Sequence, residues 1–123
     1  MLKKRILVSD VDADILNLTK IILGNKYEVL LATSDVEAVE KAKEELPDLI
    51  LLDAEMHSER TLGTCKILKN QAKTKHIPIV IFSVLAREVN SKMIDEAGVD
   101  GYLQKPFAVD ELLTEVEKHL NRD

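Results

Sequence analysis

A chain of 123 residues has room for one apolar core and no length for a second module beside it; 46% hydrophobic and 32% charged residues make it a folded chain, not a disordered one. The formal charge of −5 supplies none of the Lys/Arg excess that phosphate-backbone binding draws on, which argues against a nucleic-acid partner. The basic start Met1-Leu2-Lys3-Lys4-Arg5 leads into an apolar run that Asp10 cuts short, so it is no secretory leader, and nothing approaches the ~20 apolar residues of a membrane span; a cytoplasmic, membrane-free protein is expected.

The first predicted strand is Arg5 to Ser9, RILVS, branched and apolar. It runs directly into Asp10, Asp12 and Asp14, three carboxylates at alternate positions. Like charges that close repel, so the arrangement is costly unless a cation, a phosphoryl group or open water meets them. A helix is predicted over Asp14 to Leu23, with Ile15, Leu18 and Ile22 at helical spacing and Gly24 where a left-handed C-terminal residue is wanted. Tyr27 to Ala32 reads as the second strand. Ser34-Asp35-Val36-Glu37 is a capping box opening a second helix, which stops before Pro47.

The third strand, Asp48 to Asp53, is the most apolar of the set, and a third helix is predicted over Leu62 to Asn70. Within it Cys65 is the only cysteine, which excludes an internal disulfide; with no Cys or His at ligand spacing there is no zinc site, and a half-buried helix thiol is expected. His57, His76 and His119 are scattered and read as ordinary packed side chains. Ile77 to Ser83 is the fourth strand, Ala86 to Ala97 the fourth helix, ended by Gly98, and Gly101 to Gln104 the fifth strand. The last helix, Val109 to Leu120, turns Leu112, Leu113, Val116 and Leu120 inward and places Asp110 and Glu111 in its first turn, where the helix dipole favours them.

Strands and helices alternate, with connections too long for hairpins. Right-handed crossovers then give a parallel sheet covered by helices on both faces, a doubly wound α/β fold. Ligands in such sheets sit beyond the carboxyl ends of the strands. The polar residues standing there are Asp10 after the first strand, Asp53 at the end of the third, Ser83 at the end of the fourth, and Lys105 with Pro106 after the fifth. Two carboxylates suit Mg²⁺, a hard cation that takes oxygen ligands and keeps its waters. Together with an ammonium and a hydroxyl they form a clamp for a phosphoryl group, leaving one carboxylate, Asp53, as nucleophile.

The stretches ILVSD, PDLILLDAEM, IPIVIFS and GYLQKPF resemble the receiver domain of two-component response regulators, in family order and over nearly the whole chain. The resemblance implies a stand-alone receiver over residues 1–123 with no output domain, a five-stranded flavodoxin-like (βα)5 sheet in the order 2-1-3-4-5, and chemotaxis-regulator-like behaviour. Asp53 would accept a phosphoryl group from a partner histidine kinase or phosphotransfer protein. Asp10, Asp53 and the Glu55 backbone carbonyl would hold Mg²⁺. Ser83 would bind the phosphoryl oxygen, Lys105 would pair with it, and Tyr102 would swing as Ser83 is drawn inward. A downstream protein would read the face of the fourth helix, fifth strand and fifth helix, the face through which receivers also commonly dimerise.

The chain departs from that pattern at several places. Val11 stands where a second acid is usual, so one metal-side carboxylate is missing; Asp12 either reaches the metal through a water or only caps the helix it begins, and Asp14 is a helix-start carboxylate. His57 and Thr61 replace a Pro and a Gly after Asp53, Val84 replaces a small residue after Ser83, and Ala108 stands at the cap of the last helix. These departures motivate an alternative, a degenerate receiver that keeps the fold, binds Mg²⁺ poorly and signals by protein contact without phosphate. A third reading takes Asp10-Val11-Asp12 as the Asp-x-Asp of a haloacid dehalogenase-type phosphatase, but the chain is short for that family and Asp53 would go unexplained. The expectation is therefore a signalling module and not an enzyme.

Overall fold

Branched apolar residues set the sheet. The computed structural model describes residues 3–53, 58–83 and 95–120, and for Ser58, Glu59 and Ser83 the backbone alone. Strands β1 (Arg5–Ser9), β2 (Glu28–Ala32), β3 (Leu49–Asp53), β4 (Ile79–Ser83) and β5 (Gly101–Gln104) pair in parallel in the order β2-β1-β3-β4-β5. Helices α1 (Ala13–Leu23), α2 (Asp35–Glu45), α3 (Ser58–Lys69) and a C-terminal helix (Val109–Leu120) lie between and after them. Of the predicted fourth helix only residues 95–97 are described, and they are helical.

Alternation along each strand sends side chains to two faces. Leu7, Ile50, Leu52, Ile79 and Ile81 meet Ala38 and Ala42 of α2 and Cys65 and Leu68 of α3 on one face. Ile6, Val8, Leu49, Leu51, Val80 and Phe82 meet Leu16 and Leu23 of α1 and Leu112, Val116 and Leu120 of the C-terminal helix on the other. The central strands are covered on both sides, which is why they read as continuous apolar runs. Each fully buried aliphatic side chain stabilises the fold by roughly 1.5–3 kcal/mol.

The helix starts follow the predicted capping chemistry. Asp12 Oδ1 accepts from the Asp14 and Ile15 amides at 2.9 and 3.4 Å, so Asp12 is the N-cap of α1. Ser34 Oγ accepts from the Glu37 amide at 3.1 Å, and the Glu37 carboxylate accepts from the Thr33 amide at 2.8 Å. Ala108 contributes no side-chain cap, yet the Glu111 carboxylate reaches back to its amide at 2.9 Å.

Several expectations are corrected. Gly24 is right-handed, with φ −65°, because its amide continues the helical bonding to the Lys20 carbonyl at 2.8 Å. Glycine is required there by crowding: a Cβ would lie 2.6 Å from that carbonyl oxygen. The left-handed cap is instead Leu46 at the end of α2, φ 47°. Helix α3 begins at Ser58, earlier than Leu62, because its first turn is polar and carries no apolar period. β2 and β3 each begin one residue later than predicted, at Glu28 and Leu49, and β4 begins at Ile79 because Pro78 has no amide to donate. Cys65 is fully buried, not half-buried, since it lies on the core face of α3. Among the described residues no helix is long and apolar enough to cross a membrane.

Candidate functional site

The sheet register delivers the site. β1 pairs with β3 up to Ser9 opposite Leu52, β3 with β4 up to Asp53 opposite Phe82, and β4 with β5 up to Ser83 opposite Gln104. The residues at and just past these ends therefore leave the sheet side by side, although they are far apart in the chain. Lys105 stands one residue beyond β5, followed by a cis peptide bond to Pro106.

Its ammonium bridges the two carboxylates. Lys105 Nζ lies 2.7 Å from Asp10 Oδ2 and 3.0 Å from Asp53 Oδ1. The side chains are 8%, 0% and 6% exposed for Lys105, Asp10 and Asp53, so these charges act in a medium far less screening than water. Asp10 is further held by the Asp12 amide, which donates to its Oδ1 at 2.9 Å, while its own amide donates to the Ala32 carbonyl at 3.1 Å. Beneath the ammonium, 5.8 Å away, is the ring of Phe82, itself packed edge-on against Phe107 with centroids 5.4 Å apart. A cation over an aromatic face gains quadrupole attraction and a rigid support.

These surroundings retune the groups. Burial pushes the Asp53 carboxyl up to about 6; Lys105 pulls it down, and the negative charge of Asp10 pushes the same way as burial. Burial works against the Lys105 ammonium, but its bonds to Asp10 and Asp53 outweigh that and hold its pKa above the ordinary lysine value. A carboxylate shifted toward neutrality beside a fixed cation marks a candidate functional pair.

The two carboxylates fit a divalent cation, since they already converge on one positive charge and Mg²⁺ is commonly held through one or two carboxylates with retained water. Among the described residues no third carboxylate, His or Cys joins them to make a larger metal cluster. Asp12 is exposed and commits Oδ1 to the α1 amides, and Val11, 74% exposed, turns its side chain to solvent. The Asp-x-Asp of a phosphatase would present two carboxylates to a substrate; here the first is buried against Lys105 and the second caps a helix.

Of the other predicted site residues, Ser83 closes β4 at this same edge, but its side chain lies outside the described residues, as do Glu55, His57 and Val84. Tyr102 lies on β5 opposite Ile81 and is 47% exposed. Phe82 carries no signal in the sequence, where it is one more apolar strand residue; Thr61, marked there only as a departure from the family's Gly, is 2% exposed and donates its hydroxyl to the Asp53 backbone carbonyl at 3.2 Å.

Comparison with known proteins agrees with this fold. The family model for the response regulator receiver domain matches residues 6–117. The polar-differentiation response regulator DivK of Brucella ovis is 28% identical over 120 residues, covering 98% of each chain. The chemotaxis response regulator CheY4 of Vibrio cholerae superposes with a TM-score of 0.87 at 25% identity, over 96% of this chain and 99% of its own. The fold is also that of the receiver domain of a sensor histidine kinase from Pseudomonas aeruginosa, with a TM-score of 0.86 at 21% identity, covering 98% and 99%; that protein carries a magnesium ion coordinated in its active-site cleft. The family model spans the strands that bring Asp10, Asp53 and Lys105 together, and the chain belongs to the response regulator receiver domain family of two-component signalling.

Proposed function

We propose that the chain is a phosphoacceptor in a two-component system or phosphorelay, taking a phosphoryl group on Asp53 from the phosphohistidine of a partner histidine kinase or phosphotransfer protein. One observation carries this reading: the Lys105 ammonium is bonded at once to Asp10 and Asp53 at the edge where parallel sheets bind ligands. A carboxylate oxygen of Asp53 attacks phosphorus, the P–N bond of the donor breaks, and the leaving imidazole keeps the electron pair and takes a proton. The product is an aspartyl phosphate, whose new anionic oxygens Lys105 would pair with.

Asp10, Asp53 and the Glu55 carbonyl are the residues that would hold Mg²⁺, with Asp12 in reach only through water. Bound there, Mg²⁺ supplies positive charge to the transferring phosphoryl oxygens. Ser83 would donate to a phosphoryl oxygen, and Tyr102, half-exposed on β5, would follow it inward. Phosphorylation adds roughly 1.5 to 2 negative charges, and contacts made only to that charge are what can shift the conformational equilibrium. The readout surface is then the 86–97 segment, β5 and the C-terminal helix, offered to a downstream protein or to a second copy. In this reading residues 1–123 work as one receiver unit in the cytoplasm. Receiver domains are signalling modules, not enzymes in their own right, and this one acts by contact.

The test is intact-mass analysis after incubation with acetyl phosphate and Mg²⁺. The wild type gains one phosphoryl group; Asp53→Ala gains none, and chelation by EDTA abolishes the gain. A wild type of unchanged mass removes the proposal.

A degenerate receiver is favoured by one specific feature: the Asp53 side chain is only 6% exposed, and its charge is already met by Lys105. Val11 in place of a second acid points the same way. Under that reading the mass stays constant and Mg²⁺ produces no saturable heat in calorimetry.

A further inference from the structure

We infer that Thr61 is a positioning residue for Asp53, holding the peptide from which the acceptor carboxylate projects; the inference rests on the reading of Asp53 as phosphoacceptor. β3 is in register with β1 only as far as Leu52, while on the β4 side the register runs on to Asp53 opposite Phe82. The Asp53 peptide thus stands where one of its two flanking ladders has stopped. At that point the Thr61 hydroxyl, from the first turns of α3, donates to the Asp53 carbonyl at 3.2 Å, and Thr61 is 2% exposed. The bond joins residues eight apart and ties the start of α3 directly to the strand end.

Asp53 is therefore held from two directions. Lys105 takes its carboxylate at 3.0 Å from beyond β5, and Thr61 takes its carbonyl from α3. Fixing the carbonyl fixes the peptide plane, and with it the direction in which Cα presents the carboxylate. Pre-oriented reacting groups lower the barrier of the chemical step and leave donor binding unchanged, and small misplacements are costly in rate. A glycine at position 61 has no side chain with which to make this bond. Thr64 supplies an internal comparison: it lies on the same helix, is 5% exposed, and donates its hydroxyl to the Arg60 carbonyl at 3.1 Å, a bond internal to α3 that touches nothing at the site.

The experiment compares wild type, Thr61→Val, Thr61→Ser and Thr64→Val with acetyl phosphate and Mg²⁺, with rates normalised to the folded fraction measured by circular dichroism. Thr61→Val is expected to lower the maximal phosphorylation rate about fivefold, the effect of losing one hydrogen bond in the transition state, with the half-saturating donor concentration unchanged. Thr61→Ser keeps the hydroxyl and stays within about twofold of wild type, and Thr64→Val keeps the wild-type rate. A wild-type rate in Thr61→Val, or an equal loss in Thr64→Val, overturns the inference. If the wild type takes no phosphoryl group at all, the phosphoacceptor reading fails, and carbon-13 NMR without donor then decides on Thr61. The Asp53 carboxyl resonance moves in Thr61→Val and stays in Thr61→Ser and Thr64→Val; a resonance unmoved in Thr61→Val overturns the inference as well.

Discussion

Lys105 bridges two buried carboxylates with one ammonium, so removing it exposes the cost of the site. Lys105→Met leaves Asp10 and Asp53 facing each other at 0% and 6% exposure, and breaking a buried pair by deleting one partner costs about 3–5 kcal/mol. The urea midpoint at pH 7.5 should fall accordingly, and an unchanged midpoint would show that the pair is not desolvated. Asp53 carries the opposite sign. Its folded carboxyl is raised from 3.8 to about 6, so the folded state holds this proton more tightly than the unfolded chain does. On its account stability is greatest at acid pH and declines as pH rises between those two values. Asp53→Asn cannot ionise and escapes that decline: its midpoint should exceed the wild type's at pH 7.5, with the gap closing at the acid end of that window. Equal midpoints at pH 7.5 would contradict the raised value.

At the scale of elements, two helix ends among the described residues use the left-handed region, one of them with glycine. Leu46 closes α2 at φ 47°, a conformation that crowds the Cβ of an L-residue, and its side chain is 48% exposed. Leu46→Gly should therefore stabilise the protein by about 0.5–1 kcal/mol, read as a rise in thermal midpoint. Gly98 has φ +74°, and an added Cβ would lie 3.1 Å from Lys69 Cγ. Lys69 has little freedom to give way, because its ammonium bonds the Ile77 carbonyl at 2.8 Å and Asp100 Oδ2 at 2.9 Å. Gly98→Ala should cost about 1–2 kcal/mol; a neutral result would mean that the segment adopts another conformation.

For the whole molecule, a sheet covered on both faces leaves few routes to its interior. Cys65 is fully buried between α3 and the sheet, and burial pushes its thiol up to about 12, so it is neither exposed nor ionised at neutral pH. Its reaction with a thiol reagent should be slow in the native protein and should accelerate along the urea unfolding curve. Fast labelling without denaturant would reveal local opening of α3. The same double covering puts the candidate site at the strand ends, where the backbone leaves the sheet and side chains of distant segments meet.

Short-range physics is legible along the chain. The branched apolar runs specified five strands, the Ser34 and Glu37 pair specified a helix start that the structure reproduces through real bonds, and the strand-end residues together with the family motifs marked Asp10, Asp53 and Lys105 as partners. The limits of that legibility have the same origin. Propensity points to a left-handed cap at Gly24 and to none at Leu46, because it weighs residue types while the path of the following loop decides dihedrals. Helix-start chemistry and the family pattern already set Asp14 apart from Asp10 and leave Asp12 as either a water-mediated ligand or a cap; the fold adds that Asp10 is a buried partner of Lys105 and that Asp12 is the N-cap. Thr61 and Phe82 became part of the site only through contacts that no spacing rule encodes. Periodicity and capping act over a few residues and are written in the chain, whereas the bonds at this sheet edge, Lys105 to Asp10 across 95 positions among them, exist only once five strands have taken their register.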